Sequence, residues 1–266
     1  MTDSTQLMAG KRGLIMGVAN DHSIAWGIAR TLHEHGAELA FTYQGPALEK
    51  RVRPLAESVG SSHILPCDVT EEDSVSGVFN ALEGAWGGLD FVVHAVAYSN
   101  KEELKGHYVD TTRENFLQTL DISCFSFTSV AQHAVPLMKN GGSLITLTFS
   151  GAERVMPSYN VMGVAKAALE ASVRYLAADL GPDNIRVNAI SAGPMRTLAG
   201  SAIDSARDVL KWNQKYSPLK RSVTQDDVGG AALYLLSGLS AGVTGEVHHV
   251  DSGYNVIGVP NLLLRD

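Results

Sequence analysis

The chain of 266 residues has little cysteine: Cys67 and Cys124 stand alone, with neither the spacing of metal ligands nor the number a disulfide framework needs. A reducing, cytoplasmic setting is the expectation. Basic residues are outnumbered, 21 Lys and Arg against 28 Asp and Glu, so no basic face offers itself to nucleic-acid phosphates. The first residues, Met1-Thr2-Asp3-Ser4-Thr5-Gln6, lack the basic and apolar regions of a secretion signal. Long apolar runs are also missing. The one uncharged stretch of membrane-spanning length, 228–245, carries five glycines and two serines and reads as a buried helix followed by a turn, without membrane insertion. Nine histidines are present, but the pairs His33/His35 and His248/His249 have no convincing third ligand, so no metal is expected. Repeats, low-complexity segments and Pro- or Ser-rich linkers are absent, and the whole of 1–266 reads as one domain.

What is present is alternation. Short β-branched or apolar runs at 13–16, 38–42, 63–66, 91–94, 143–148, 185–190 and 246–250 predict strands. Amphipathic stretches at 24–35, 46–59, 71–86, 112–138, 159–180, 197–216 and 225–236 predict helices between them. Seven strands alternating with helices imply an α/β fold, a doubly wound, Rossmann-type parallel sheet with right-handed crossovers. Such sheets bind ligands beyond the carboxyl ends of the strands, so the residues just after each strand are the ones to read for function.

After the first strand the GxGxxG spacing is missing, and Gly17 followed by Ser23 and Gly27 takes its place. Gly17 suits a tight turn, Ser23 a helix cap, Gly27 a close helix–sheet approach, and the helix start at Ile24 a pyrophosphate. The same glycines also suit an ordinary turn. After the second strand stands Gln44, able to hydrogen-bond ribose hydroxyls, with no Lys or Arg before Lys50; that favours NADH over NADPH. After the third, Asp68 and Val69 are placed for adenine, with helix capping as the competing role of Asp68. After the fourth, Ala95 and Ala97 let a cofactor approach the backbone. His94 is expected to pack in the core with one nitrogen satisfied. Finally, Tyr159 and Lys166 lie seven residues apart, two helical turns, or roughly 10.5 Å along one face. A phenol and an ammonium so placed serve a reaction that develops negative charge on an oxygen.

With these pieces in order, the chain resembles the short-chain dehydrogenase/reductase family over nearly its full length. Most members carry the tyrosine and lysine four residues apart, whereas here Gly163 holds that position. The longer spacing, the Gly17-x5-Ser23-x3-Gly27 turn, Tyr43-Gln44, Ser150 to Arg154 and Ser191 to Ala199 resemble the NADH-dependent enoyl-acyl-carrier-protein reductases within that family. The resemblance implies reduction of a trans-2-enoyl thioester in fatty-acid elongation, an acyl-carrier-protein-linked substrate and a homotetramer. It implies that Tyr159 donates to the enolate oxygen and that Lys166 holds the nicotinamide ribose. Pro194 offers no N–H, so Ile190, Ala192 and Thr197 are the expected contacts to the carboxamide and phosphates. Substrate contacts are expected from Ala97, Tyr98, Phe149, Met162, Ala199 and Ile203, with a lid at about 195–216. Close relatives usually carry a tyrosine where Phe149 stands and glycine where Ala97 stands; Asp204 and Asp208 sit where relatives place basic residues for the carrier protein. Lys211, Lys215, Lys220 and Arg221 offer a positive patch nearby. Asp121, where the wider family has a structural asparagine, suits helix packing or a proton relay. Two rivals remain: a carbonyl reductase or alcohol dehydrogenase on the same fold, and a catalytically silent nucleotide-binding regulator.

Overall fold

The computed structural model describes residues 6–198 and 205–259. Seven strands, β1 (Arg12–Met16), β2 (Glu38–Tyr43), β3 (His63–Pro66), β4 (Phe91–His94), β5 (Gly142–Thr148), β6 (Ile185–Ala192) and β7 (Val247–Val250), form one sheet. The order is β3-β2-β1-β4-β5-β6-β7, and every pairing is parallel. After β3 the chain crosses to the other side of β1, so the ends of β1 and β4 border the crevice where such sheets receive ligands.

Side-chain alternation builds the layers. Ile15, Phe41, Val93 and Ile145 point to one face, beneath α1 (Ile24–Glu34), α2 (Gly45–Ser58) and α8 (Gln225–Leu236). Their neighbours Leu14, Ala40, Val92 and Leu144 point to the other, beneath α3 (Glu72–Trp86), α5 (Ser126–Ala134) and α6 (Asn160–Leu180). Because both faces are covered, the strands read as continuous apolar runs. Among the described residues no helix is long and apolar enough to cross a membrane.

Two helix expectations change. The stretch 112–138 is α4 (Arg113–Leu120), a π-helical turn (Asp121–Phe125), α5 and a closing 3-10 turn at Val135–Leu137, where Pro136 lacks an N–H. At the π turn, Ser126 Oγ donates back to the Ile122 carbonyl (2.6 Å), and Ser123 turns inward to the loop after β4. Of the helix expected at 197–216, the described part is α7 (Ala206–Tyr216); Thr197 and Leu198 are non-helical, and 199–204 lie outside the described residues.

Candidate active site

At the end of β1, Gly17 has a φ of 94°, and a Cβ there would lie 2.1 Å from the Ala95 carbonyl oxygen after β4. Only a residue without a side chain lets the two strand ends come this close, and the space above them is left to backbone. Ser23 precedes α1 but does not cap it. Its Oγ accepts from the N–H groups of Ala19 (3.0 Å) and Asn20 (3.1 Å), folding the turn back on itself. The Trp26 N–H is taken by the Ser23 carbonyl (3.0 Å), while the N–H groups of half-buried Ile24 and of Ala25 are not engaged by the Ser23 hydroxyl and remain suited to an anion. Gly27 corrects a second expectation: its close neighbour is not the sheet but α8, where a Cβ would meet the Gln225 side chain at 2.5 Å.

Gln44 and Asp68 come together across β2 and β3. Gln44 Nε2 donates to Asp68 Oδ2 at 2.8 Å. The other oxygen, Oδ1, accepts from the N–H (3.0 Å) and hydroxyl (2.7 Å) of Thr70. Asp68 does not cap α3, whose N-cap is Glu71, because its carboxylate is already used within its own turn. Partial burial raises its pKa, but the donors from Thr70 and Gln44 outweigh this and hold it below the usual carboxylate value. Val69 packs beneath against the α3–α5 layer.

Beyond β4, Ala97 and Tyr98 are exposed, and the main chain at Tyr98 is clamped from both sides. Its N–H donates to Ser123 Oγ (2.9 Å), and Ser123 Oγ donates to its carbonyl (3.0 Å). His94 has both nitrogens satisfied rather than one, by Thr146 (3.0 Å) and Ser126 (2.9 Å). Complete burial, followed by the nearby Lys166 charge, pushes its pKa down to about 3, so it is a neutral core residue. Asp121 is exposed on the π turn.

Tyr159 is the residue immediately before α6, between Ser158 (φ 56°) and Asn160 (φ 39°). Two non-glycine residues with positive φ are costly, and they set the angle at which the ring enters. The ring stands edge-on to Phe149, centroids 5.3 Å apart, and packs with Leu104, Val161 and Met162. The backbone of Gly151 lies against it: a Cβ there would fall 2.4 Å from Tyr159 Cδ1. Gly163, at the four-residue position, has its own Cα directed at the Gly151 carbonyl, 2.8 Å from where a Cβ would be. A lysine there would have to push the Gly151 backbone away. One turn on, Lys166 is buried and its Nζ donates to the Leu147 carbonyl of β5 (2.8 Å). Burial pushes Lys166 down to about 8, opposed by Cys124 and Glu170, and pushes the Tyr159 phenol up, with Glu170 adding to the rise. At neutral pH the pair is a phenol with its proton and a largely charged ammonium.

Next to this pair is a cleft of about 360 Å³ bordered by Phe149, Val155, Met156, Pro194, Val209 and Trp212. Its far wall is closed by a bond from Trp212 Nε1 of α7 to the Tyr254 hydroxyl (2.8 Å). Ile190 and Ala192 depart from expectation: their side chains are buried in the core on β6, and their main chain is paired within the sheet, Ile190 with Leu147 and His248 and Ala192 with Val250. Thr197 follows with its N–H on the Met195 carbonyl (3.0 Å). Ala199 and Ile203 lie outside the described residues. Among those described, His, Cys, Asp and Glu form no group of three that could hold a metal ion. Sequence reasoning missed Ser123, Trp212, Tyr254 and Glu170. Only Glu170 left a local signal, a carboxylate four residues after Lys166 on the same helix face.

Comparison with known proteins agrees with this geometry. The family described as Enoyl-(Acyl carrier protein) reductase matches residues 17–255. The NADH-dependent enoyl-[acyl-carrier-protein] reductase 2 of Rhizobium meliloti is 66% identical over 256 residues, 96% of each chain. Reductase 1 of the same organism is 62% identical, over 97% of this chain and 95% of its own. The crystal structure of the Anaplasma phagocytophilum enoyl-(acyl-carrier-protein) reductase in complex with NAD superimposes with a TM-score of 0.94 at 59% identity, covering 97% of this chain and 99% of that one. Fold, turn glycine, Tyr–Lys spacing and overall identity converge: the chain belongs to the enoyl-acyl-carrier-protein reductase family.

Proposed function

We propose that the protein reduces the α,β double bond of a trans-2-enoyl thioester carried on acyl carrier protein, using NADH, as the reductive step of fatty-acid elongation. The observation that carries this reading is the buried Tyr159–Lys166 pair at seven-residue spacing, with the four-residue position closed by the Gly163–Gly151 contact. The same contact weighs against the carbonyl-reductase alternative, whose lysine belongs at position 163.

The residues present fit a dinucleotide. Gly17 leaves a cradle that a Cβ would fill, the amino end of α1 suits the pyrophosphate, and Gln44 with Asp68 meets the adenosine end. No Lys or Arg lies between Gln44 and Lys50 to favour a 2′-phosphate. When bound, NADH supplies the hydride for the β carbon. The charge that appears on the thioester oxygen is met by Tyr159, whose burial keeps the phenol protonated and therefore a donor. A donor placed at such an oxygen is worth about 3 kcal/mol. Lys166, held at Leu147, grips the ribose hydroxyls with its remaining N–H groups.

Ala95 and Ala97 border the cofactor, Ala97 and Tyr98 the substrate, and Met162 and Phe149 set the walls around Tyr159. The apolar cleft takes the acyl chain, and the segment from about 195 to 216, which contains Ala199 and Ile203, acts as its lid and excludes water. For the carrier protein, Lys211 and Lys215 on α7, with Lys220 and Arg221 just beyond it, are the basic contacts. Exposed Leu117, Phe125 and Tyr175 on α4 to α6 support assembly into the homotetramer.

The test follows NADH oxidation with a trans-2-enoyl thioester, with a β-ketoacyl thioester and NADPH in parallel. Oxidation of NADH with the enoyl substrate alone is expected. Tyr159→Phe is expected to lower kcat by about 10²–10³-fold while leaving NADH binding intact. Turnover of the keto substrate, or an active Tyr159→Phe variant, would overturn the assignment.

A further inference from the structure

Besides Lys166, α6 buries a second charged side chain. Glu170 lies one turn further along, and each of the two is only 7% exposed. Consecutive residues of β5 hold them: Lys166 Nζ donates to the Leu147 carbonyl at 2.8 Å, and Thr148 Oγ1 donates to Glu170 Oε1 at 2.6 Å. A carboxylate withdrawn from water is costly unless a charge or hydrogen bonds compensate it. Docking α6 on β5 does not by itself require that charge, since a glutamine carbonyl would accept the same bond from Thr148. What a glutamine would not provide is a negative charge four residues from a buried ammonium, on the same helix face.

We propose that Glu170 is a positioning residue for the reductase reaction: its carboxylate, latched to Thr148, is the buried counter-charge that keeps the Lys166 ammonium charged where the cofactor ribose is gripped.

The surroundings of both groups support this. Burial, with Glu153 on the turn after β5 adding to it, raises Glu170 above the usual carboxylate value on balance; Thr148 of β5, Arg174 of α6 and His249 of β7 pull it back toward the ionised form. His249 is itself tied to Glu153, Nε2 to Oε1 at 3.1 Å, which places a partner against the charge that would otherwise discourage ionisation of Glu170. Lys166 is lowered by burial to about 8 and raised by Cys124 and Glu170. Because Lys166 already titrates close to neutrality, losing a raising charge lets it shed its proton within the working pH range. Tyr159 responds in the same direction, since Glu170 also helps to keep its phenol protonated.

The inference rests on the reductase reading of the site, and NADH binding is therefore measured beside turnover so that the two can fail separately. In the wild type, NADH affinity and kcat are expected to fall together as pH rises through about 8. In Glu170→Gln the fall is expected to begin about one pH unit lower, with affinity at the acid end of the range retained. Glu170→Asp, which keeps the charge, is expected to restore the alkaline limb. An equal loss of affinity at every pH in Glu170→Gln, at a retained melting temperature, would reduce Glu170 to a structural latch and overturn the proposal. Should Glu170→Gln not fold, Thr148→Val removes the donor that favours the ionised carboxylate; the limb is expected to move the same way by less, and an unmoved limb would overturn it. Wild-type protein that binds NADH but reduces no enoyl thioester would sink the reductase reading, while the pH series of NADH binding would still decide the role of Glu170.

Discussion

Gly163→Ala adds one methyl group where most members of the wider family carry the lysine. Two effects oppose each other. Gly163 lies inside α6, so alanine gains about 1 kcal/mol of helix propensity. Against this, the new Cβ would sit 2.8 Å from the Gly151 carbonyl oxygen, where ordinary contacts start at 3.4 Å, so one partner must withdraw by about half an ångström. The helix is fixed by the buried Lys166 and Glu170, leaving the 150–152 turn to move. That turn is packed on the Tyr159 ring, so its displacement is transmitted to the phenol. Overpacking of this kind costs about 1–3 kcal/mol, and the net loss of stability should be about 0–2 kcal/mol. Activity should suffer more, because a shift of half an ångström at a reacting group is worth about ten-fold in rate. Urea unfolding and NADH oxidation with an enoyl thioester, on the same preparation, separate the two quantities. A variant more stable than wild type with unchanged kcat would show that helix propensity wins and that the glycine contact does not govern Tyr159.

Two further outcomes follow from bonds elsewhere in the chain. Ser23→Ala leaves the Ala19 and Asn20 N–H groups without their acceptor, at a cost of about 1–2 kcal/mol, and loosens the turn proposed to face the pyrophosphate; the KM for NADH should rise more than kcat falls, as steady-state kinetics at saturating enoyl substrate will read. Asp227 closes the capping box of α8 with Thr224, and its carboxyl is held well below the usual range by the Arg221 hydrogen bond first, against an opposing burial effect, with Thr224 assisting. A depressed folded-state pKa gives stability that is complete above the unfolded value of about 3.9 and is lost as pH falls through the folded one. The melting temperature of Asp227→Asn should therefore lie below wild type at neutral pH, with the gap closing in acid; a gap that persists in strong acid would refute the linkage.

The strands were legible because each is a local apolar run: β3 and β4 begin and end where the sequence places them, as does α8. Tyr159, Lys166 and the displaced turn glycine were legible because motif spacing is itself a sequence property. Partners were not. Ser23 was expected to cap α1, but the Ala19 and Asn20 donors reach its hydroxyl first. Gly27 was given to the sheet, yet the element it admits, α8, lies some two hundred residues further on. The helix expected at 112–138 is a regular apolar pattern, and at its π turn Ser123 meets the main chain of Tyr98, a partner the local pattern does not show.

By itself, then, the sequence determined the alternation of elements, the parallel sheet and the chemical identity of the Tyr159–Lys166 pair, all of which depend on residue type and spacing along the chain. Tertiary structure alone decided which groups are desolvated and which donors meet which acceptors. That is why the altered proton affinities of Tyr159 and Lys166, the closure of position 163 by Gly151, and the buried charge of Glu170 emerge only when α6 is laid against β5. Burial and contact between residues distant in sequence are properties of the packed chain, and no local pattern encodes them.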